Sequence, residues 1–208
     1  MRTPVQSNYD VMRDLMEEKF LKYNQLEMIR KFSLIHDEQY LYLRFVGKMY
    51  RVSRLTGRVE SCVLGSAACE HADYNVSMTI FDVLCCSRPD CHLAGKFVTV
   101  NNLKNIMSSA PSGSGLFTGQ ARFFANRGTQ LRKACEKLGG ISQAVGDVSY
   151  ELLLFDFLPV TLQFWDADDE FEAELKILWD ENILDYMHYE TTYFAASHLL
   201  KRLRELSG

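Results

Sequence analysis

YELLLFDFLPVTLQF, residues 150–164, decides the fold. Two apolar runs, Tyr150 to Phe155 and Val160 to Phe164, stand on either side of Pro159 and read as core strands. Leu152-Leu153-Leu154-Phe155 is the longest apolar run, and Asp156 interrupts it far short of the roughly 20 residues a membrane helix requires. Upstream, a helix around Thr129 to Lys137 is predicted to stop at Gly139-Gly140, where a residue tolerant of positive φ is expected after a helix end.

Further towards the N-terminus, Tyr40 to Phe45 alternates Leu41, Leu43 and Phe45 with Tyr40, Tyr42 and Arg44. Gly47 punctuates, Met49 to Val52 resumes the extended pattern, and Thr56-Gly57 turns the chain again, which predicts an antiparallel meander. Ahead of it, Met12, Met16, Phe20 and Tyr23 recur at helical spacing, predicting one amphipathic helix from Tyr9 that ends before Phe32. Residues 74–86, YNVSMTIFDVLCC, fit a short buried helix, Ser87-Arg88-Pro89-Asp90 a turn, and Lys96 to Val100 a short strand or extended connection. Ser108 to Gly115, the one low-complexity segment, reads as a flexible loop.

Downstream, Asp166-Ala167-Asp168-Asp169-Glu170 forms an acidic turn, after which two helices are expected. The first would carry Phe171, Leu175 and Leu178, and the last Tyr189, Tyr193, Ala196, Leu199, Leu203 and Leu206 along one stripe. Strands and helices cluster separately, without regular alternation. The expected class is therefore α+β, with an antiparallel or mixed sheet, flanking helices and a C-terminal helical pair.

The 208 residues suffice for one sizeable core, so residues 1–208 are expected to form a single domain whose N-terminal helix and meander run to about residue 60. With 47% hydrophobic and 24% charged residues the composition is that of a folded globular chain. The formal charge of -4, from 27 acidic and 23 basic residues without a long block of either sign, gives no broad field for nucleic acid or an anionic membrane. Met1-Arg2-Thr3-Pro4 leads into polar residues without the apolar core of a secretory signal, so the expected location is the cytoplasm. In that compartment the six cysteines are expected to be reduced thiols.

Several constellations invite chemistry. Cys85, Cys86, Cys91 and His92, with Cys62, Cys69 and His71 upstream, supply soft ligands. They lack the paired spacing of structural zinc, and the favoured reading is buried, inert thiols with no metal. The acidic run Asp166, Asp168, Asp169 and Glu170 suits a cation or acid/base work, but carboxylates ahead of a helix also cap its N–H groups, and Asp168 is placed to do so. Glu190, Phe194 and His198 share one face of the last helix. Gly113-Ser114-Gly115, with Gly119, lacks the lysine of a phosphate loop, and no nucleophile elbow or histidine-rich zinc motif is present. Trp165 and Trp179, with Phe164 and Phe171, bracket the acidic turn and invite an apolar wall beside it.

Gly146-Asp147-Val148-Ser149-Tyr150, Leu158-Pro159, Phe164-Trp165, Asp169-Glu170-Phe171 with Ala173, Leu178-Trp179-Asp180, and Tyr186 with Glu190 follow one another in an order that resembles the domain of unknown function 3786 family. The likeness extends over about residues 82–206. It implies a protein of anaerobic bacteria or archaea with no established reaction, and polar positions at Asp147, Asp169, Glu170, Asp180 and Glu190. Some members of that family carry an added iron–sulfur-type cysteine motif like that of corrinoid proteins; this chain lacks it, and Trp179 stands where phenylalanine is more common.

The functional expectation is an accessory module of anaerobic metabolism that binds a small molecule or a protein partner. Its cleft would be bounded by the acidic turn, Trp165 and the Ser/Gly loop. The candidate ligand-binding residues are Trp165, Asp169, Glu170, Asp180, Glu190 and His198; no catalytic residue or cofactor is assigned. One alternative is a metal-dependent enzyme in which Asp169, Glu170 and Glu190, with or without His198, hold a water-activating ion. The other is a redox or metal-delivery protein using Cys85, Cys86, Cys91 and His92.

Overall fold

The computed structural model describes residues 7–62, 69–103 and 114–208. In chain order the elements are α1 (Asn8–Phe20), α2 (Gln25–Phe32), β1 (Ile35–His36), β2 (Tyr40–Phe45), β3 (Lys48–Ser53), β4 (Val59–Cys62), β5 (Cys69–His71), α3 (Tyr74–Cys86) and β6 (Phe97–Thr99). There follow α4 (Ser114–Phe124), α5 (Gly128–Lys137), β7 (Ile141–Ser142), β8 (Val148–Phe155), β9 (Leu158–Trp165), β10 (Glu174–Asp180) and α6 (Tyr189–Leu206).

The two apolar runs are strands, as their composition predicts. They form the β8–β9 hairpin, which turns at Asp156-Phe157 and takes Pro159 into β9 as its second residue. Residues paired across antiparallel strands face the same side of a sheet. The register therefore builds three apolar rows: Val148, Phe164 and Leu175; Tyr150, Leu162 and Ile177; Leu152, Val160 and Trp179. All nine are buried, Trp179 at 1% exposure. These rows belong to the cluster that the buried side chains of the described residues form.

Among the described residues every strand pairing is antiparallel, in the order β5-β4-β3-β2-β8-β9-β10-β6, with β1 added to β2 and β7 to β8. The fold is thus α+β with an antiparallel sheet and flanking helices. The predicted meander forms its N-terminal half. Its first hairpin turns on Val46 and Gly47, both at positive φ as a two-residue turn demands, and a side chain at Gly47 would strike Leu138. The halves meet through one ladder pair, Phe45 with Phe155, and a bond from the Val46 N–H to the Leu154 carbonyl at 2.7 Å.

Three expectations are corrected. The segment holding Leu175 and Leu178 is the strand β10, so α6 has no helical partner immediately before it; α6 packs on α3 and α5 instead. Leu175, Ile177 and Trp179 recur every second residue, and pairing to β9 uses that period. The N-terminal helix is broken in two, because the Asn24 side chain accepts the Leu26 and Glu27 N–H groups and starts α2 afresh. The acidic turn caps no helix: the Asp168 carboxylate accepts the Glu170 and Phe171 N–H groups in a loop between two strands. Residues 108–113 of the Ser/Gly loop lie outside the described residues, while Ser114 opens α4 and Gly119 lies within it.

Candidate functional site

Helix α3 is apolar on nearly all sides. Val76, Ile80, Phe81, Val83 and Leu84 are buried, and its N-terminus is capped by Asp73, which accepts the Val76 N–H. Within that run Asp82 is 8% exposed. A carboxylate so placed is costly unless hydrogen bonded, and its partners come from 106 residues away. One oxygen accepts the backbone N–H of His188 at 2.7 Å, and the other lies 2.5 Å from His188 Nδ1. His188 is the N-cap residue of α6 and makes no side-chain cap of its own. Asp82 thus fixes the start of α6 on α3, two helices that pack along each other.

Cys86 lies one turn beyond Asp82 on the same face of α3. Ligand atoms of Asp82, Cys86 and His188 all lie within 4.8 Å of one another, and among the described residues this is the one group of three or more such side chains. Asp82 is buried, whereas Cys86 and His188 reach solvent. A metal held by all three side chains would take the place of the proton between Asp82 and His188 Nδ1, because an imidazole nitrogen must be free of its proton to coordinate. Burial, then the Asp82 charge and the thiol's hydrogen bond to Asp82, push the Cys86 pKa up; Lys19 and a hydrogen bond with Tyr23 pull more weakly the other way. The neighbouring Cys85 thiol is pushed up to about 12, chiefly by burial. At neutral pH both sulfurs are protonated, so they are poor nucleophiles. A divalent cation reverses that balance, because its charge outweighs the carboxylate and deprotonates a coordinating thiol.

A cleft of about 200 Å³ has Tyr23, Asn24, Glu27, Lys31 and Cys85 in its wall; none of the three ligand residues lines it, and Tyr23, which hydrogen bonds with Cys86, stands between. Lys31 Nζ donates to the Ser87 carbonyl and hydroxyl, both at 2.9 Å, and to the Arg88 carbonyl at 3.1 Å. It therefore closes the carbonyl end of α3 beside Cys86.

The residues singled out from sequence fall in several places. Asp180 is fully buried and accepts three backbone N–H groups, from Ala94, Gly95 and Asn182, at 2.8 to 2.9 Å. Its charge holds the 91–96 segment against β10. Trp165 is half-buried at one end of the β9–β10 ladder, opposite Glu174 and under the Lys176 ammonium, whereas Trp179 pairs with Val160 at the other end. The two tryptophans share no wall. Asp168, Asp169, Glu170 and Phe171 are exposed, Phe171 at 69%. Glu190 is exposed at the start of α6, and His198, two turns on, is buried. The structure does not bring Asp169, Glu170, Glu190 and His198 together as a metal group.

Of the cysteine set, Cys86 belongs to the group just described, without the others. Cys91 lies by Tyr186, Lys31 and Asp185, and burial raises its pKa. His92 is held between the Asp90 carbonyl and Asn182 on the surface. Cys85, Cys86, Cys91 and Cys135 are free thiols. Sequence reasoning missed Asp82 and His188 as site residues. The legible signal was the aspartate itself: an ionisable residue inside an apolar helix run is rarely buried without a partner.

An open antiparallel α+β sheet carrying a carboxylate, thiol and imidazole group at a helix–helix junction is the class that fold and site define. The profile of the domain of unknown function DUF3786 matches residues 25–202, and the chain belongs to that family. The match includes α2 and the N-terminal meander, a wider span than the motifs alone delimit. No curated protein and no solved structure matches. Of the polar positions that the family resemblance implies, Asp147 accepts the Asp166 N–H at 2.7 Å and so pins the turn beyond β9.

Proposed function

We propose that this chain is an accessory binding module whose working centre is a mononuclear metal site formed by Asp82, Cys86 and His188. The observation that carries this reading is the convergence of the three ligand types within 4.8 Å at the start of α6. Sulfur, imidazole and carboxylate together suit a borderline ion such as zinc, cobalt or ferrous iron, rather than calcium or magnesium. Three protein ligands leave a coordination position open, which is the arrangement of sites that bind or activate an exchangeable molecule. No helix among the described residues is long and apolar enough to cross a membrane. The free thiols suit a reducing cytoplasm, and the family likeness suits a role in anaerobic metabolism.

The test is titration of metal-free protein with cobalt(II). The expected result is one equivalent bound with a thiolate-to-cobalt charge-transfer band, lost in Cys86→Ser and weakened at least tenfold in His188→Gln. Both residues are exposed, so neither change should unfold the chain. Cobalt binding without the thiolate band, or binding indifferent to Cys86→Ser, would refute the site.

A further inference from the structure

β5 ends the strand order among the described residues and pairs with β4 in the register Glu60 opposite His71, Ser61 opposite Glu70 and Cys62 opposite Cys69. Two cysteines thus stand directly across from each other on neighbouring antiparallel strands. Opposed residues alternate between pairs that exchange backbone hydrogen bonds and pairs that do not, and only in the second kind do the Cα atoms approach to about 4.5 Å. The ladder itself fixes which kind this is. The Ala72 N–H donates to the Val59 carbonyl at 2.9 Å, so Val59 and Ala72 are a hydrogen-bonded pair. Along the register Glu60 with His71 is then a non-bonded pair, Ser61 with Glu70 a bonded one, and Cys62 with Cys69 again a non-bonded one. Its close spacing falls inside the range of about 4.4–6.8 Å that the Cα atoms of a disulfide span, and opposed residues share one face of the sheet.

We propose that Cys62 and Cys69 are a redox-modification site, closed to a cross-strand disulfide by a low-molecular-weight disulfide such as oxidised glutathione. Cys69 is partly exposed, within reach of a small oxidant. One cysteine of the pair, as thiolate, attacks a sulfur of the small disulfide, forming a mixed disulfide and expelling one small thiol. The second cysteine attacks the protein sulfur of that mixed disulfide and expels the other small thiol. Two protein thiols are oxidised, one small disulfide is reduced to two thiols, and the two protons pass to those thiols. Opposition across the ladder makes the second step intramolecular, which favours the internal bond over a retained adduct. A disulfide on a partly exposed strand belongs to the labile, regulatory kind rather than the structural one. It staples the strand that leads, through the Asp73 cap, into α3 with Asp82 and Cys86.

The test is incubation of the folded chain with oxidised glutathione, followed by mass spectrometry of its peptides, with dithiothreitol to reverse the bond. The expected result is a Cys62–Cys69 link with the loss of two hydrogen masses and no glutathione retained on either residue. Cys62→Ser and Cys69→Ser should each trap glutathione on the remaining partner, because the second step is removed. Combining Cys69→Ser with Glu70→Cys moves the thiol one residue along β5, to the other face of the sheet, and should slow closure at least tenfold. Cys86→Ser should leave the link unchanged, so the outcome is independent of the metal reading. Glutathione retained on both Cys62 and Cys69, a link from either to another cysteine, no reaction at either, or equally fast closure in the displaced variant would each overturn the proposal.

Discussion

His188 and His198 stand on the same helix, ten residues apart, in opposite physical situations. The His188 side chain is 67% exposed, yet it is held at 2.5 Å by a buried carboxylate from another helix. The His198 ring is buried, stacked and unpaired at one nitrogen. Burial without a charged partner drives its pKa down to about 4 from the ordinary 6.5. A histidine's chemistry here follows from its packing: a ring held against a carboxylate and beside a thiol is placed to share a metal with them, whereas a ring buried against Phe45 is kept neutral.

Placing a permanent charge at each position tests that contrast most severely. His198→Lys should cost about 3–5 kcal/mol in urea unfolding, because the new cation has no partner in the stacked site. His188→Lys should cost under about 1 kcal/mol, since an exposed ammonium still reaches Asp82. Equal costs would break the comparison.

Acid sharpens it further. The folded-state pKa of His198 lies below that of the unfolded chain, so the unfolded state takes up the proton first. This residue's contribution is whole above about pH 6.5, is lost as the pH falls from about 6.5 to about 4, and changes no further below that; the loss is at most roughly 3 kcal/mol. His198→Phe, which keeps the stack on Phe45, should flatten that slope, while His188→Gln should retain it. Stability measured by denaturant at pH 7, 5.5 and 4.5 decides.

Asp82→Ala removes both bonds to His188 and leaves a backbone N–H unsatisfied, with an expected cost of about 1–3 kcal/mol. Hydrogen exchange should show the loss concentrated at the start of α6. The smallest effect belongs to the acidic turn: Asp169→Asn and Glu170→Gln, both exposed, should shift stability by less than about 0.5 kcal/mol and leave metal binding untouched.

Local pattern predicts most of the fold. The alternation in Tyr40 to Phe45, the apolar runs around Pro159, the buried run of α3 and the glycine stop after α5 each carry their own structural cause within a few residues. β10 escaped because Phe171, Leu175 and Leu178 mimic helical spacing, while the period of two in Leu175, Ile177 and Trp179 is realised only by pairing with β9. The site was less legible still. Asp82 and His188 are brought together by the packing of α3 on α6, a long-range event that no local spacing encodes. The acidic run was conspicuous in sequence for the reason that leaves it solvated: it is a loop, with Asp168 closing its own turn.

Zinc binding followed by calorimetry in two buffers of different ionisation enthalpy tests the central claim most directly. The Cys86 thiol is protonated in the metal-free protein, so coordination must release its proton. The account predicts about one zinc per chain with net proton release at pH 7, and loss of that release in Cys86→Ser. Zinc binding with no proton released, or with the same release in Cys86→Ser, would contradict it.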